Sequence, residues 1–298
     1  MTVKWDALAL SSDPAIPVEL AVVGHLGWDV VQSGTRSGVR KPGGSLLHFL
    51  SGLAFAKQTA TAYTWTDEKL VHMVTQDMLP PWLNVVNTPV ADAPEFGITY
   101  EGEDVVSFTL KNLSMPPEVA HARVAAGHIH FCAMPLADVG KLLSAWRPLR
   151  WSMQLHGTML SQIPSWYWDQ GPPGLIFCNA AERGAAEELR WMQSPEITWV
   201  VTRRAGVEVF RGSQLHSEYT FTPADDVVDP TGAGDALAGA TLGARLRGVP
   251  ISAAVRFGTG VAALSLFDFA SGSLNAWWNS SQWTVPALVE GGAYSAGS

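Results

Sequence analysis

From His128 onward, short apolar runs of strand length alternate with longer runs at helical spacing. His128–Ala133, Arg150–Leu155, Leu175–Cys178 and Ile197–Thr202 read as strands, and Leu136–Trp146 and Ala180–Met192 as helices. Alternation of this kind implies a parallel sheet covered by helices, because parallel neighbours need a long crossover. Upstream, Val18–Gly24 reads as a buried first strand that ends at a glycine. Ser45–Lys57 reads as a helix, with Leu46, Leu47, Leu50, Leu53 and Ala54 at helical spacing. Thr59–Trp65 fits a strand and Asp67–Thr75 a helix, with Asp67 near its cap. Leu83–Asn87, Phe96–Tyr100 and Val105–Leu110 are short, β-rich and without intervening helices, and Gly102 lies near a hairpin turn. These three runs suit a small sheet that projects from the main body.

The sharpest chemical signal is Asp229-Pro230-Thr231-Gly232-Ala233-Gly234-Asp235, which leads straight into the apolar helical run Ala236–Leu242. Glycine permits backbone angles and close approaches that a Cβ forbids. A helix that begins there directs its unpaired N–H groups, and the positive end of its dipole, into the loop. This is the anatomy of an anion site, suited to phosphate or to charge developing during phosphoryl transfer. Asp235, in the first turn, stands beside it as an acceptor for a substrate hydroxyl proton. The competing reading makes Asp235 an N-cap after a glycine-rich turn.

This stretch resembles the second signature of the ribokinase-like (PfkB) carbohydrate kinases, D-x-x-G-A-G-D followed by a helix. The resemblance runs from Gly24 to about Leu266. It implies an α/β protein with a three-layer α/β/α ribokinase-like fold, a mostly parallel central sheet and a small β lid. A single domain over 1–298 is expected, with the lid formed from about 29–42 and 96–110. ATP is the implied phosphoryl donor and Mg²⁺ the implied metal. The backbone of Gly232, Ala233 and Gly234 would stabilise the developing charge, and Asp235 would accept the proton. Asp29 matches the family's substrate-binding aspartate, and Gly43 and Gly44 match its di-glycine substrate motif. His48 stands where the family commonly has Asn. Asn179 and Glu182 match an N-x-x-E motif that organises Mg²⁺ and phosphate through water. Thr202 and Thr231 fall beside the expected nucleotide, and Gly258 lies in an Ala-rich helix, Ala253–Leu264, that borders the adenine pocket.

Each of these positions also has a plainer reading. Asp29 could be a solvated loop carboxylate, and Gly43-Gly44 a simple turn. Asn179 and Glu182 could be the N-cap and N3 partner of a helix start. Thr202-Arg203-Arg204-Ala205-Gly206 departs from the family's T-x-G-x-x-G loop, and its arginines either contact phosphate or sit on the surface. His25, His48 and His156, together with Gln154 where many members have Asp, suggest a histidine-lined pocket. Such a pocket would accept something other than a common free hexose or ribose. His128, His130 and Cys132 alternate on one face, as either a metal set or ordinary sheet histidines.

The formal net charge of −8 leaves no basic excess for general nucleic-acid binding. Cys132 and Cys178 both lie in apolar runs and read as core thiols, so a reducing cytoplasm is the expected compartment. No run approaches membrane-spanning length, and Met1–Asp6 carries no apolar targeting core. G-x-x-x-x-G-K-[ST], G-x-S-x-G and H-E-x-x-H are absent. The expected function is a small-molecule kinase acting on a hydroxyl of a sugar or sugar-like acceptor. The alternatives are a kinase of a nucleoside or vitamin precursor, a non-catalytic nucleotide- or sugar-binding protein on the same fold, and an α/β dehydrogenase with a degenerate nucleotide loop. The expected partner is a small-molecule substrate, with neither nucleic acid nor membrane, and a lid sheet can serve as a homodimer interface.

Overall fold

A computed structural model describes residues 19–33, 36–101, 104–122, 124, 126–157, 171–186, 194–220 and 230–266. The chain enters on β1 (Leu20–Val23) and turns through Gly24–Leu26 into β2 (Gly27–Ser33) and β3 (Arg36–Gly43). α1 (Ser45–Phe55), β4 (Ala60–Thr66), α2 (Glu68–Asp77) and β5 (Leu83–Pro89) follow. Next come β6 (Glu95–Glu101), β7 (Asp104–Lys111) and the short α3 (Pro117–His121). β8 (His128–Phe131), α4 (Leu136–Trp146), β9 (Trp151–Gln154), β10 (Leu175–Asn179), α5 (Ala180–Ala186) and β11 (Thr198–Arg203) complete the alternating region. β12 (Gly206–Arg211) and β13 (Gln214–Thr220) precede α6 (Ala233–Leu246) and α7 (Ile251–Ser265).

Among the described residues, nine strands make one sheet in the order β13-β12-β11-β10-β9-β8-β1-β4-β5. Neighbours from β5 to β11 run parallel, and β12 and β13 are antiparallel additions. Strand alternation splits the core between the two faces. Leu20 and Val22 join Leu46, Leu50, Leu53, Leu237 and Leu242 of α1 and α6 on one face. Ala21 and Val23 join Val139, Leu142 and Leu143 of α4 on the other. The three-layer α/β/α architecture expected from the sequence is therefore present. α1 and α6 cross with their backbones nearly touching: a Cβ on Gly52 would meet Ala236 O, and one on Gly239 would meet Phe49 O. That close crossing fixes the first half of α6 against the middle of α1.

The other four strands form a second sheet, β3-β2-β6-β7. β2 runs parallel to β6, and each pairs antiparallel with its sequence neighbour. Leu83–Asn87, expected with this small sheet, instead belongs to β5, the outer strand of the large one, parallel to β4. The pair β12–β13 was not expected. Its apolar Val207 and Val209 flank the polar Glu208, the period-2 alternation that marks a strand. Asp67 caps α2 as expected, accepting a hydrogen bond from Leu70 N. Asp229, Gly102, the end of the expected helix beyond 186 and the tail from Gly291 lie outside the described residues. No helix among the described residues is long and apolar enough to cross a membrane.

Candidate active site

A cavity of about 600 Å³ opens between the C-terminal ends of the parallel strands and the small sheet. Open α/β sheets expose their ligand sites at this edge. Asp29, Gly44, Ser45 and His48 line one part, Asn179, Ala181, Glu182 and Thr202 another, and Thr231, Gly232, Gly234 and Asp235 the region between. The small sheet supplies Phe96, Ile98, Tyr100 and Phe108.

Asp29 is almost completely buried. Its Oδ1 accepts from Gly44 N at 3.0 Å, and its Oδ2 lies 2.9 Å from His48 Nε2. The di-glycine is a steric requirement of that carboxylate. A Cβ on Gly43 would fall 2.1 Å from Asp29 Cγ, and Gly44, the N-cap of α1, has φ +85°. Gly44 also packs against His25 O, so the loop after β1 and the start of α1 are built around one another. The imidazole of His48 lies under the glycine loop: a Cβ on Gly232 would sit 2.1 Å from His48 Cγ. Gly232 is the N-cap of α6 in the left-handed region, φ +80°. This conformation and this contact both require glycine.

Asp235 is half-buried in the first turn of α6, and its Oδ1 accepts from Gln154 Nε2 at 2.9 Å. Burial raises its pKa from the usual carboxylate range to about 7; Asp29 and Glu182 add to this, while His48 and the Gln154 hydrogen bond oppose it. A carboxyl poised near neutrality beside a helix N-terminus has the properties of a general base. Of the loop's N–H groups, that of Ala233 donates to Pro230 O within the turn. Gly234 and Asp235, which come next in the helix, line the cavity.

Asn179 and Glu182 form a reciprocal cap on α5: Asn179 N donates to Glu182 Oε2 and Glu182 N to Asn179 Oδ1, each at 2.8 Å. Gly157 N donates to the other carboxylate oxygen at 3.1 Å. Burial raises the pKa of Glu182, and these backbone donors oppose the rise. The set fits Mg²⁺ held through water, since each carboxylate oxygen keeps a second lone pair and Mg²⁺ retains several waters. It does not form a direct ligand cage: no group of three or more His, Cys, Asp or Glu side chains that could hold a metal occurs among the described residues.

Other sequence candidates are placed differently. Thr202 lines the cavity and its hydroxyl donates to Cys178 O at 3.3 Å. Arg203 and Gly206 pair across a tight hairpin, and Arg203 bridges to Glu208 at 2.6 Å. The short connection between two antiparallel strands explains why a longer glycine loop is missing here. Gly258 is not at the cavity wall. Its Cβ position is filled by Thr241 Oγ1 and Leu237 O, so it serves the contact of α7 with α6. His25 is also turned away: it is buried against Trp65, its Nε2 lies 3.3 Å from Leu113 O, and burial lowers its pKa. His48 and His156 do line the cavity, and His156 lies 4.7 Å from the Phe108 ring. Burial lowers the His156 pKa. His128 and His130 share Ser152 as a hydrogen-bond partner, which accounts for them as sheet histidines.

Sequence reasoning missed Tyr100, whose hydroxyl lies 2.9 Å from Thr231 Oγ1 and ties the small sheet to the glycine loop. The signal was the spacing of Phe96, Ile98 and Tyr100, which puts all three on one face of β6.

The adenosine kinase of Sinorhizobium meliloti superposes with a TM-score of 0.67 at 15% identity, covering 88% of this chain and 99% of that one. A nucleoside kinase of Burkholderia thailandensis, solved with ADP-inosine, gives 0.68 at 12% over 86% and 91%. A ribokinase of Cryptococcus neoformans var. grubii, solved with ADP, gives 0.66 at 14% over 86% and 96%. The chain has the ribokinase fold. Residues 177–277 also match the family model for pfkB family carbohydrate kinases, so the resemblance carried by Asp229–Asp235 is borne out. No curated protein matches the sequence. The ribokinase fold replaces the dehydrogenase alternative. α5, β11, α6 and the end of β10 from Phe177, which line the cavity, lie inside the matched segment.

Proposed function

We propose that this chain is an ATP-dependent kinase that phosphorylates a hydroxyl of a sugar or sugar-like acceptor. The observation that carries this reading is Asp235, a carboxyl with a pKa near 7 in the first turn of a helix whose glycine loop lines the same cavity. In this reading the acceptor hydroxyl attacks the γ-phosphorus and its proton passes to Asp235 Oδ2, since Oδ1 is held by Gln154. The bond from the γ-phosphorus to the bridging oxygen breaks and ADP leaves. The N–H groups of Gly234 and Asp235 stabilise charge on the transferring group, supported by the dipole of α6. Gly232 contributes the turn that aims them. Mg²⁺, held through water by Asn179 and Glu182, would neutralise phosphate charge. Thr202 and Thr231 flank the nucleotide, and Asp29 and His48 hold the acceptor. The small sheet acts as a lid that excludes water, with Tyr100 on Thr231 as its contact with the phosphate loop.

The small-sheet wall beside Asp29 favours one acceptor type. Phe96, Ile98, Tyr100 and Phe108 present largely apolar surface, and Asp29, with one partner already on each oxygen, has lone pairs left for only a few hydroxyls. A free hexose carries hydroxyls on every side and loses affinity for each one left unpaired on desolvation. An acceptor with a small hydroxylated part joined to a planar ring, as in a nucleoside, suits these surfaces better.

The test is Mg·ATP-dependent ADP release across free sugars, nucleosides and hydroxymethylpyrimidine, run beside Asp235→Asn. Nucleoside-dependent turnover that falls by orders of magnitude in the variant is expected. Equal rates in the two proteins would remove Asp235 as the base. ATP binding without turnover on any acceptor would favour the non-catalytic alternative.

A further inference from the structure

Behind Asp235 a file of polar side chains runs through the apolar interior. His128 and His130 alternate on β8 and Ser152 and Gln154 on β9, and the parallel register sets His130 opposite Ser152. All four are buried, His130 and Ser152 completely. Phe49 stacks on His130 with ring centroids 4.2 Å apart, and Phe177 meets it edge-on at 6.0 Å. Polar groups persist in such surroundings where they satisfy one another. Here one hydroxyl serves two imidazoles: Ser152 Oγ is 2.8 Å from His128 Nε2 and 2.8 Å from His130 Nδ1.

A hydroxyl has a single proton, so Ser152 donates to one ring and accepts from the other. Burial keeps both rings neutral. The pKa of His128 falls to about 4, helped by the charge of Arg150, and that of His130 lies well below the ordinary histidine value. The file therefore carries no charge, but it does carry direction. With His128 donating from Nε2, Ser152 donates to His130 Nδ1, and the His130 proton resides on Nε2. Gln154 is a polar neighbour of that ring. His130 Nε2 and Gln154 Oε1 are both buried, neither has a hydrogen-bond partner, and they are complementary as donor and acceptor. An amide with its oxygen turned to the ring presents its NH₂ to Asp235 Oδ1, where it is found at 2.9 Å. The flipped amide would set oxygen against carboxylate oxygen.

We propose that His128, Ser152 and His130 are positioning residues that fix the Gln154 amide with its N–H end on Asp235, keeping that carboxylate ready to accept a proton. The proposal rests on the reading of Asp235 as the base. Asp235 is also faced by His48 from α1, Asp29 from β2, Glu182 from α5 and the Cys132 thiol beyond β8, all of which stay unchanged in the variants below.

The experiment titrates the Asp235 carboxyl by ¹³C NMR in wild type, Gln154→Met, Ser152→Ala and Ser152→Thr, with ¹⁵N shifts of the His130 ring and thermal melts on the same samples. The midpoint rises by roughly half to one pH unit in Gln154→Met and Ser152→Ala, the size of one modest hydrogen bond. Ser152→Thr keeps the hydroxyl and the wild-type midpoint. His130 shows the Nε2-protonated tautomer in wild type and a mixture in Ser152→Ala. Should Ser152→Ala not fold, His130→Phe, which can still stack on Phe49, carries the same expectation. A wild-type midpoint in folded Ser152→Ala or His130→Phe, beside a shifted Gln154→Met, would overturn the role of the file. No shift in any variant would overturn that of Gln154 as well. The titration reads protonation directly, so it decides the role of the file even in a protein without kinase turnover.

Discussion

His48 donates from Nε2 to Oδ2 of Asp29 across 2.9 Å, and the same imidazole lies beneath the Cα of Gly232. One side chain thus touches both the carboxylate proposed to hold the acceptor and the glycine loop at the start of α6. His48→Ala removes a buried donor to a carboxylate, a loss of about 1–3 kcal/mol, or roughly ten- to hundredfold. In the proposed site Asp29 holds the acceptor, so the loss should appear mainly as a higher KM for the acceptor, with KM for ATP changed less. Steady-state kinetics with each substrate varied in turn checks this; an unchanged acceptor KM would remove His48 from the acceptor site.

The carboxyl of Asp235 has a folded pKa of about 7, above its unfolded value. Between those two pH values the folded chain binds the proton and the unfolded chain does not. Its favourable contribution to stability is therefore complete in acid and is lost as pH rises to about 7. Activity moves the opposite way, because only the carboxylate accepts a proton. The logarithm of kcat/KM should climb with unit slope below about pH 7 and level off above it. Asp235→Asn should lose turnover while its melting temperature, relative to wild type, improves between pH 4 and pH 7. A difference in melting temperature that stays flat over that range would mean the carboxyl is not raised.

Tyr100 and Thr231 join the small sheet to the glycine loop through one hydrogen bond of 2.9 Å. Tyr100→Phe keeps the ring in the cavity wall and removes only the hydroxyl, a net loss of about 0.5–1.5 kcal/mol. With the lid held less tightly, water reaches the γ-phosphoryl group more often. ADP release without acceptor should rise by a few-fold relative to acceptor phosphorylation. Comparing ADP formed with product formed in the same reaction reads this ratio, and a ratio equal to wild type would leave Tyr100 a packing residue only.

These relationships differ in how far the sequence disclosed them. The parallel region was legible because its strands are continuous apolar runs of a length that suits nothing else, as in Leu175–Cys178. Asp235 was legible because glycines on both sides of an alanine, just ahead of a carboxylate and a helix, suit an anion loop far better than a plain cap. The partnership of Asp29 with His48, nineteen positions away, was not, since β2 and α1 must first fold back on one another across Gly43 and Gly44. Gly258 shows the opposite case. A small residue in a helix is equally suited to a ligand and to a neighbouring helix, and Thr241 and Leu237 occupy the space. His25 likewise lies close to Asp29 in sequence, yet its ring turns to Trp65 instead of the cavity.

Gly232 and Gly234 stand two residues apart and make opposite predictions. At Gly232, φ is +80° and a Cβ would fall 2.1 Å from the His48 ring. Gly232→Ala therefore incurs about 1–2 kcal/mol of left-handed strain and must also displace His48, so both the melting temperature and turnover fall. At Gly234 a Cβ meets no heavy atom within 4 Å. Gly234→Ala also gains helix propensity, about 0.8–1 kcal/mol in a helix interior and less in a first turn. The folded protein therefore stays as stable as wild type or becomes more so. The added methyl would still project where a phosphoryl oxygen must approach the helix N–H groups, and kcat/KM for ATP should fall by roughly tenfold or more, given the weight of a single oxyanion donor. Thermal melts and ATP kinetics on the two variants separate the roles. If Gly234→Ala phosphorylates acceptor at the wild-type rate, the N–H groups at the start of α6 are not where the transferred group sits.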